Sequence, residues 1–392
     1  MNDGLAGVPM LGRDLPEGIE LGIRNYWYPV LASEDVPSGK PFGFKALGED
    51  LVAWRDSKGE PHVARDRCPH RSARFSAGRV LADDLQCAWH GLRFDSKGSC
   101  TLIPWEPDDS ELRGKVQITA YPTGERAGYI WAYMSDGKPF PVPPLDDCLP
   151  EEFVNPNGFI SFRHKVHIWN CNWLQALDGS DGYHAVMLHS QSQGVASEPW
   201  TGGEFKKAGI PLEKRRMKII ETNQGLRSVG IDSNGKEIHH GHLLEGWQGE
   251  RWTLPCLYSI PTVPGPQTGA IVVRLYQVPV DASHCRTFRT ISMRAITDED
   301  RARCTKLWNE ALLPRQLVVS AEDQAICESL GDLAESRANE FLFNSDRDVL
   351  SVRRMMADAF MSQLSGKRPL PTRSALVYSA PDARELKYAA QV

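Results

Sequence analysis

Thiols and imidazoles come together twice within a short span of the chain, as Cys68-Pro69-His70 and as Cys87-Ala88-Trp89-His90, separated by residues 71–86. Each Cys/His pair is short enough to sit on one tight loop and aim both side chains at a common centre. Four donors then converge from two loops. A tetrahedral zinc ion takes two Cys and two His, and so does a [2Fe–2S] cluster with two thiolates on one iron and two imidazoles on the other. The order of the donors favours the cluster. Each loop supplies one Cys and one His and so spans both irons, whereas zinc fingers of this ligand set group the cysteines first and the histidines second.

A second set of candidate donors lies in the stretch Asn172 to Ser190, which has helical character and contains Asp181, His184 and His189. On a helix Asp181 and His184 share a face at i, i+3, whereas His184 and His189 are five apart and lie off one line. Both histidines reach one ion only if the helix distorts or ends between them, which Gly179 and Gly182 permit. A His pair in a chain with 11 histidines is a weak motif by itself. Asp323 adds weight. On the helix expected around Leu312 to Leu330 it shares a face with Val319, Ile326 and Leu330. A carboxylate on an apolar stripe is costly unless a cation compensates it, either a metal or an arginine such as Arg315. Two histidines and one carboxylate form the facial triad of non-haem Fe(II) oxygenases, with positions left open for O2. A one-electron centre and an O2-activating iron in one polypeptide explain each other, because reductive O2 activation needs electrons in single steps.

The elements that must position these groups divide at a proline-rich stretch. From Phe42 to Asp66 the pattern is strand-like: Leu51–Trp54, a turn at Ser57–Glu60, then His62–Ala64 leading into the first ligand loop. Leu92–Phe94, a turn at Asp95–Gly98 and Cys100–Ile103 follow the second, and Leu102-Ile103-Pro104-Trp105 offers a third loop that caps the cluster. A strand at Tyr129–Met134 closes this unit, and prolines 139, 141, 143, 144 and 150 mark its end. Beyond it, extended patterns at 159–168, 219–231, 270–279 and 286–296 suggest an antiparallel sheet. Helical patterns bracket it at 172–190 and, with interruptions, at 298–360. The expected class is α+β, with an arm at 1–23, an all-β cluster domain at 24–145 and an α+β domain at 146–392, its antiparallel sheet flanked by helices.

Cys68-Pro69-His70-Arg71 with Cys87-Ala88-Trp89-His90-Gly91 resembles the Rieske fingerprint. Asp181-Gly182-Tyr183-His184 with His189 is similar to the iron-binding segment of Rieske non-haem iron oxygenases. Glu322-Asp323-x-Ala325-x-x-Glu328 … Arg337-x-x-Glu340-Phe341-Leu342 … Ser345-Asp346 resembles the C-terminal segment of the phthalate- and carbazole-dioxygenase-like group, and Gln277–Asp281 a sheet segment of the same group. The resemblance covers residues 24–356, and Asp178 stands where that group commonly has Glu. It implies a Rieske [2Fe–2S] cluster on Cys68, His70, Cys87 and His90, and a mononuclear Fe(II) on His184, His189 and Asp323. It also implies a ring-shaped homotrimer in which the cluster of one subunit serves the iron of the next, with Asp181 bridging a cluster histidine and His184. A carboxylate on the far nitrogen of a ligand His fixes the ring and raises its basicity. The activity implied is that of the terminal oxygenase (alpha) component of a multicomponent, aromatic-ring-hydroxylating system. It activates O2 with electrons from NAD(P)H to hydroxylate an aromatic or heteroaromatic substrate.

No Gly-x-Gly-x-x-Gly follows a strand, so a separate reductase, with or without a ferredoxin, must deliver the electrons. Oxidative O- or N-demethylation and monohydroxylation use the same scaffold. An electron carrier without oxygenase activity and a zinc-stapled binding protein are readings of a different class. With 392 residues, 41% hydrophobic and 24% charged, and a net charge of −5, the chain is long enough for two cores and points to no nucleic-acid partner. No stretch offers a membrane span, and nine cysteines without a disulfide-like framework fit free thiols in the cytoplasm. Glu237-Ile238-His239-His240-Gly241-His242 is metal-like in composition but reads as a solvated turn. Trp169, Trp173, Tyr183, Trp247 and Trp252 serve equally as core or as pocket lining.

Overall fold

A computed structural model describes residues 10–11, 15–180, 184, 188–189, 216–222, 225–231, 234–235, 237–238, 250–262 and 271–367. The chain forms two compact units, one of Leu21–Leu145 with Val278–Ala282, the other of Met1–Glu20, Asp146–Gln277 and Ser283–Val392.

The first unit is built from short antiparallel strands: β1 (Tyr26–Ala32), β2 (Phe42–Ala46), β3 (Glu49–Arg55), β4 (Pro61–Arg65), β5 (Arg79–Leu81), β6 (Asp84–Gln86), β7 (Arg93–Phe94), β8 (Cys100–Leu102), β9 (Ala120–Tyr121), β10 (Thr123–Arg126) and β11 (Tyr129–Met134). They make three sheets, in the orders β10-β11-β1, β9-β4-β3-β2 and β8-β7-β6-β5. The aromatic run of β1 and the whole of β11 are buried, because these strands pair along their length in the middle of the unit. Two hairpins have the same local cause. Asp56 Oδ1 accepts the N–H of Lys58 and Glu60, and Asp95 Oδ1 accepts those of Lys97 and Ser99, so a carboxylate closes each turn before the strand returns. Val52, Trp54, Ala64, Phe75, Leu85, Leu92, Phe94 and Ile118 form one apolar core, and Cys68 and Cys87 are part of it.

The second unit begins with α1 (Glu151–Val154), β12 (Phe159–Arg163), β13 (His167–Trp169) and α2 (Trp173–Asp178), and continues with β14 (Arg216–Glu221), β15 (Gly225–Ile231), β16 (Glu237–Ile238), β17 (Trp252–Thr253), β18 (Leu257–Thr262), β19 (Ile271–Asp281) and β20 (His284–Arg294). Helices α3 (Asp298–Leu307), α4 (Leu313–Ser329), α5 (Leu333–Asn339) and α6 (Arg347–Leu364) close it. Among the described residues the sheet is antiparallel in the order β12-β20-β19-β18-β17-β15-β14, with β13 beside β20 and β16 beside β15. The α+β class expected from the pattern is the class found. A π-turn at Trp308–Leu312 joins α3 to α4. Pro314, at the first turn of α4, has no N–H to give to the preceding turn, so the wider turn and the helix start meet there.

Three expectations change. The stretch read as an arm is fully buried at Leu15, Ile19 and Ile23, and its Ile19 and Glu20 carbonyls accept the Trp173 Nε1–H and the Asn172 amide. The helix expected over 172–190 is described only as α2, which Asn172 and Gln175 start with reciprocal capping bonds. Third, Ile326 and Leu330 are 51% and 45% exposed, so the apolar stripe around Asp323 is not the inward face of α4. Helix α4 instead buries Gln316, two turns before Asp323, and Cys327, one turn after it, and packs against β13 and α2.

Candidate metal centres

The two Cys/His loops are near copies of one another. Cys68 N–H donates to the Ala73 carbonyl and Ser72 N–H to the Cys68 carbonyl; Cys87 N–H donates to the Leu92 carbonyl and Gly91 N–H to the Cys87 carbonyl. The fourth residue after each Cys takes a left-handed φ, 61° at Ser72 and 75° at Gly91. That reversal turns each loop back on itself and brings its Cys and His to one side. Asp66, fully buried, fixes the first loop by accepting Ser76 N–H and Oγ–H at 2.8 and 2.6 Å. The second loop rests on the third: a side chain at Gly91 would stand 3.1 Å from Pro104 Cγ, the capping contact expected of that segment.

The structure brings the two sulfurs near each other and the two imidazoles near each other. Both thiols are buried, and burial together with the neighbouring Cys87 sulfur pushes the Cys68 thiol up to about 11, against N–H groups of His70 and Arg71 directed at its sulfur. His70 Nδ1 and His90 Nδ1 lie 3.2 Å apart on the outer side, rings nearly perpendicular at 77°. Two neighbouring buried sulfurs and two neighbouring imidazoles, one of each on either loop, fit a group that bonds all four and carries positive charge. Sulfurs inside and imidazoles at the surface suit a cluster with one thiolate-held iron and one exchanging electrons through the histidine edge.

His184, His189 and Asp323 form the second centre. Their ligand atoms all lie within 4.8 Å of one another, the one such group of three among the described residues. Leu188 N–H donates to the His184 carbonyl at 2.6 Å, and His189 follows Leu188 directly. The rings face at 82° with centroids 5.2 Å apart. Asp323 Oδ1 stands 3.5 Å from His184 Nε2 and 3.1 Å from His189 Nε2. Cis donors that each sit ~2.1 Å from one ion are about 3 Å apart, so the set has the size of one face of a coordination shell. Glu322 Oε2 takes the Nδ1–H of His189 at 2.8 Å, which leaves Nε2 to face Asp323. Only a proton or a metal ion at that nitrogen makes the approach to a carboxylate oxygen favourable. Burial pushes the Asp323 carboxyl up, but hydrogen bonds from both imidazoles and the Arg289 guanidinium outweigh it and hold the group well below the usual carboxylate range.

Residues outside the donor set hold it in place. Arg289 Nη2 donates to Asp323 Oδ2 at 3.0 Å and Nη1 to Gln316 at 3.1 Å; the arginine paired with Asp323 is thus Arg289 of β20, not Arg315. Glu328 accepts the Asn170 N–H at 2.9 Å and ties α4 to the segment before α2. Asp178, at the end of α2, forms an ion pair with Arg337 and accepts hydrogen bonds from Arg353, which also donates to Glu340. These contacts give a physical reason for Glu322, Glu328, Arg337 and Glu340 in the C-terminal segment. Sequence reasoning missed Arg289 and the role of Glu322; adjacency to Asp323 was the available signal for Glu322, and an isolated arginine in a strand gives none. Asp181, Tyr183, Trp247 and the His239, His240 and His242 cluster lie outside the described residues. Trp169, Trp173 and Trp252 are core, each at most 2% exposed. Cys171, Cys285 and Cys327 are buried neighbours, and a hydrogen bond with Cys285, then burial, pushes the Cys171 thiol up.

Fold and donors together fit an iron–sulfur domain followed by a unit with a second candidate metal site. Residues 26–122 match the Rieske [2Fe–2S] domain family. The oxygenase subunit of 5,5'-dehydrodivanillate O-demethylase from Sphingobium sp. is 38% identical over 194 residues, 48% of this chain and 43% of that protein. The oxygenase subunit of phthalate 4,5-dioxygenase from Pseudomonas putida is 28% identical over 397 residues, 89% of this chain and 84% of that one. The match thus spans under half of the first relative and most of the second. An oxygenase and ferredoxin complex of carbazole 1,9a-dioxygenase superposes with a TM-score of 0.68 at 21% identity, covering 89% of this chain and 94% of that one, a likeness of fold. The chain carries a Rieske [2Fe–2S] domain and is similar to the oxygenase subunits of these two enzymes. No helix among the described residues is long and apolar enough to cross a membrane.

Proposed function

We propose that the chain is the terminal oxygenase component of a multicomponent Rieske oxygenase, hydroxylating an aromatic or heteroaromatic substrate with O2. The observation that carries the reading is the approach of His184 Nε2, His189 Nε2 and Asp323 Oδ1 to one point, with the His189 tautomer set by Glu322. When bound, the cluster relays single electrons and the mononuclear iron uses them to activate O2. Cys68, Cys87, His70 and His90 hold the first group, and the buried thiols keep it fixed while the histidine edge faces outward. His184, His189 and Asp323 would hold the second, and with only three donors from the chain positions would stay open to exogenous ligands.

Electrons come from a separate reductase, with or without a ferredoxin; the solved relative with a bound ferredoxin supports a protein donor. The working assembly is a homotrimer in which Asp181 bridges a cluster histidine of one subunit and His184 of the next. Seven cysteines outside the cluster loops, none of them in a disulfide, suit a cytoplasmic protein. Oxidative O-demethylation is the second reading, favoured by the name of the first relative. Substrate-dependent O2 uptake with a surrogate reductase, scanned over methoxylated and unsubstituted aromatic acids and heteroaromatics, separates them: released formaldehyde marks demethylation, and a hydroxylated ring marks hydroxylation. Uptake with none of these substrates, from protein holding both kinds of iron, counts against both readings.

A further inference from the structure

The two oxygens of Asp323 face different partners. Oδ1 is turned to the histidines, 3.1 Å from His189 Nε2 and 3.5 Å from His184 Nε2, whereas Oδ2 accepts from Arg289 Nη2 at 3.0 Å. Arg289 is not a side chain that can swing away. It projects from the middle of the long strand β20, is 5% exposed at its side chain, and is tethered through Nη1 to Gln316, one of the buried residues of α4, at 3.1 Å. Gln316 and Asp323 stand on the same helix about two turns apart, so the guanidinium spans them and its plane is fixed relative to the carboxylate.

We infer that Arg289 is a positioning residue that restricts Asp323 to one-oxygen ligation of the mononuclear metal, by holding Oδ2 in a buried, charge-assisted hydrogen bond. This rests on the reading of His184, His189 and Asp323 as the metal ligands. A carboxylate free to rotate can chelate through both oxygens and fill a further coordination position. For Asp323 to do so, Oδ2 must leave Arg289 and strand a buried guanidinium beside Gln316, which is unfavourable in a poorly solvated site. With Oδ2 retained, the protein supplies three donors to one face, and the position a chelating carboxylate would take stays available to an exogenous ligand. Arg289 thereby acts on the number of open positions without touching the metal.

The test uses the full chain with its cluster in place, the mononuclear site stripped and reloaded with Co(II) alone, so that cobalt X-ray absorption reads that site apart from the cluster irons. In the unaltered protein the carboxylate carbon of Asp323 should appear at the longer distance of one-oxygen ligation. In Arg289→Met the short metal–carbon path of a chelating carboxylate should replace it. A chelating carboxylate in the unaltered protein overturns the inference, as does one-oxygen ligation that persists in Arg289→Met. Should that variant not accumulate as folded protein, the spectrum of the unaltered protein decides. Failure of the unaltered protein to bind Co(II) with two imidazoles contradicts the ligand assignment itself, a result distinct from either of these.

Discussion

Glu322 Oε2 accepts the Nδ1–H of His189 at 2.8 Å, while the adjacent residue of the same helix, Asp323, faces the other nitrogen of that ring at 3.1 Å. Successive residues of α4 therefore grip one imidazole from both ends. A carboxylate behind a ligand His fixes its tautomer and raises its basicity, and loss of such a partner weakens metal affinity about 10–100-fold. Glu322→Leu should show that loss in Fe(II) competition against a chromophoric chelator, with the cluster absorption unchanged. Glu322→Gln, whose amide oxygen still accepts from Nδ1, should recover most of it. Equal affinities in all three proteins would remove Glu322 from the site.

The ion network behind α2 sets how firmly the donor segment is anchored. Asp178 receives Arg337 and Arg353, whose side chains are 2% and 5% exposed. Breaking a buried pair by removing one partner costs about 3–5 kcal/mol; Glu340 retains part of the pairing, so the lower end applies to Asp178→Ala. Urea denaturation followed by tryptophan fluorescence should show a transition moved to lower denaturant. An unmoved transition would mean that the network adds nothing to stability.

Ser72 and Gly91 make equivalent turns with opposite tolerance to substitution. A non-glycine residue at left-handed φ costs about 1–2 kcal/mol. Gly91→Ala adds that cost at φ 75° and also places its Cβ 3.1 Å from Pro104 Cγ, so cluster content per chain should fall. Ser72→Gly relieves the same cost at φ 61°, and its content should match or exceed that of the unaltered chain. The visible absorption of the purified proteins, scaled to protein, reads both.

His164 gives the second unit a pH dependence. Burial first, then the Arg289 charge and His167, depress its imidazole from 6.5 to about 4. Between those values the unfolded chain binds a proton that the folded chain refuses. Stability is therefore complete above pH ~6.5 and falls as the pH drops toward 4, by about 3 kcal/mol over the window. His164→Phe should flatten the rise in urea midpoint between pH 5 and pH 7. An unchanged slope would show that other groups set it.

The Rieske loops were legible because each ligand pair lies within a few residues, so that the fold has only to bring two loops together. The α+β class was legible for a similar reason: the extended runs at 270–279 and 286–296 are long and lie side by side in the sheet as β19 and β20. The second centre was harder. His184 and His189 are off one helical line, yet the structure brings both to Asp323, which no spacing rule specifies. Asp323 was picked for an apolar stripe, yet Ile326 and Leu330 on that stripe are exposed, and the carboxylate is held by donors instead. Its arginine comes from a strand 34 residues earlier in the chain, a contact set by tertiary packing alone.

The central claim is that one chain holds a cluster and, apart from it, a single iron on His184, His189 and Asp323. Metal analysis of the reconstituted protein beside His184→Ala, with visible and Mössbauer spectra of both, tests it most directly. The expected result is about three irons per chain in the unaltered protein and about two in the variant, with an identical cluster spectrum. Equal iron in the two proteins, or zinc in place of the cluster, would contradict it.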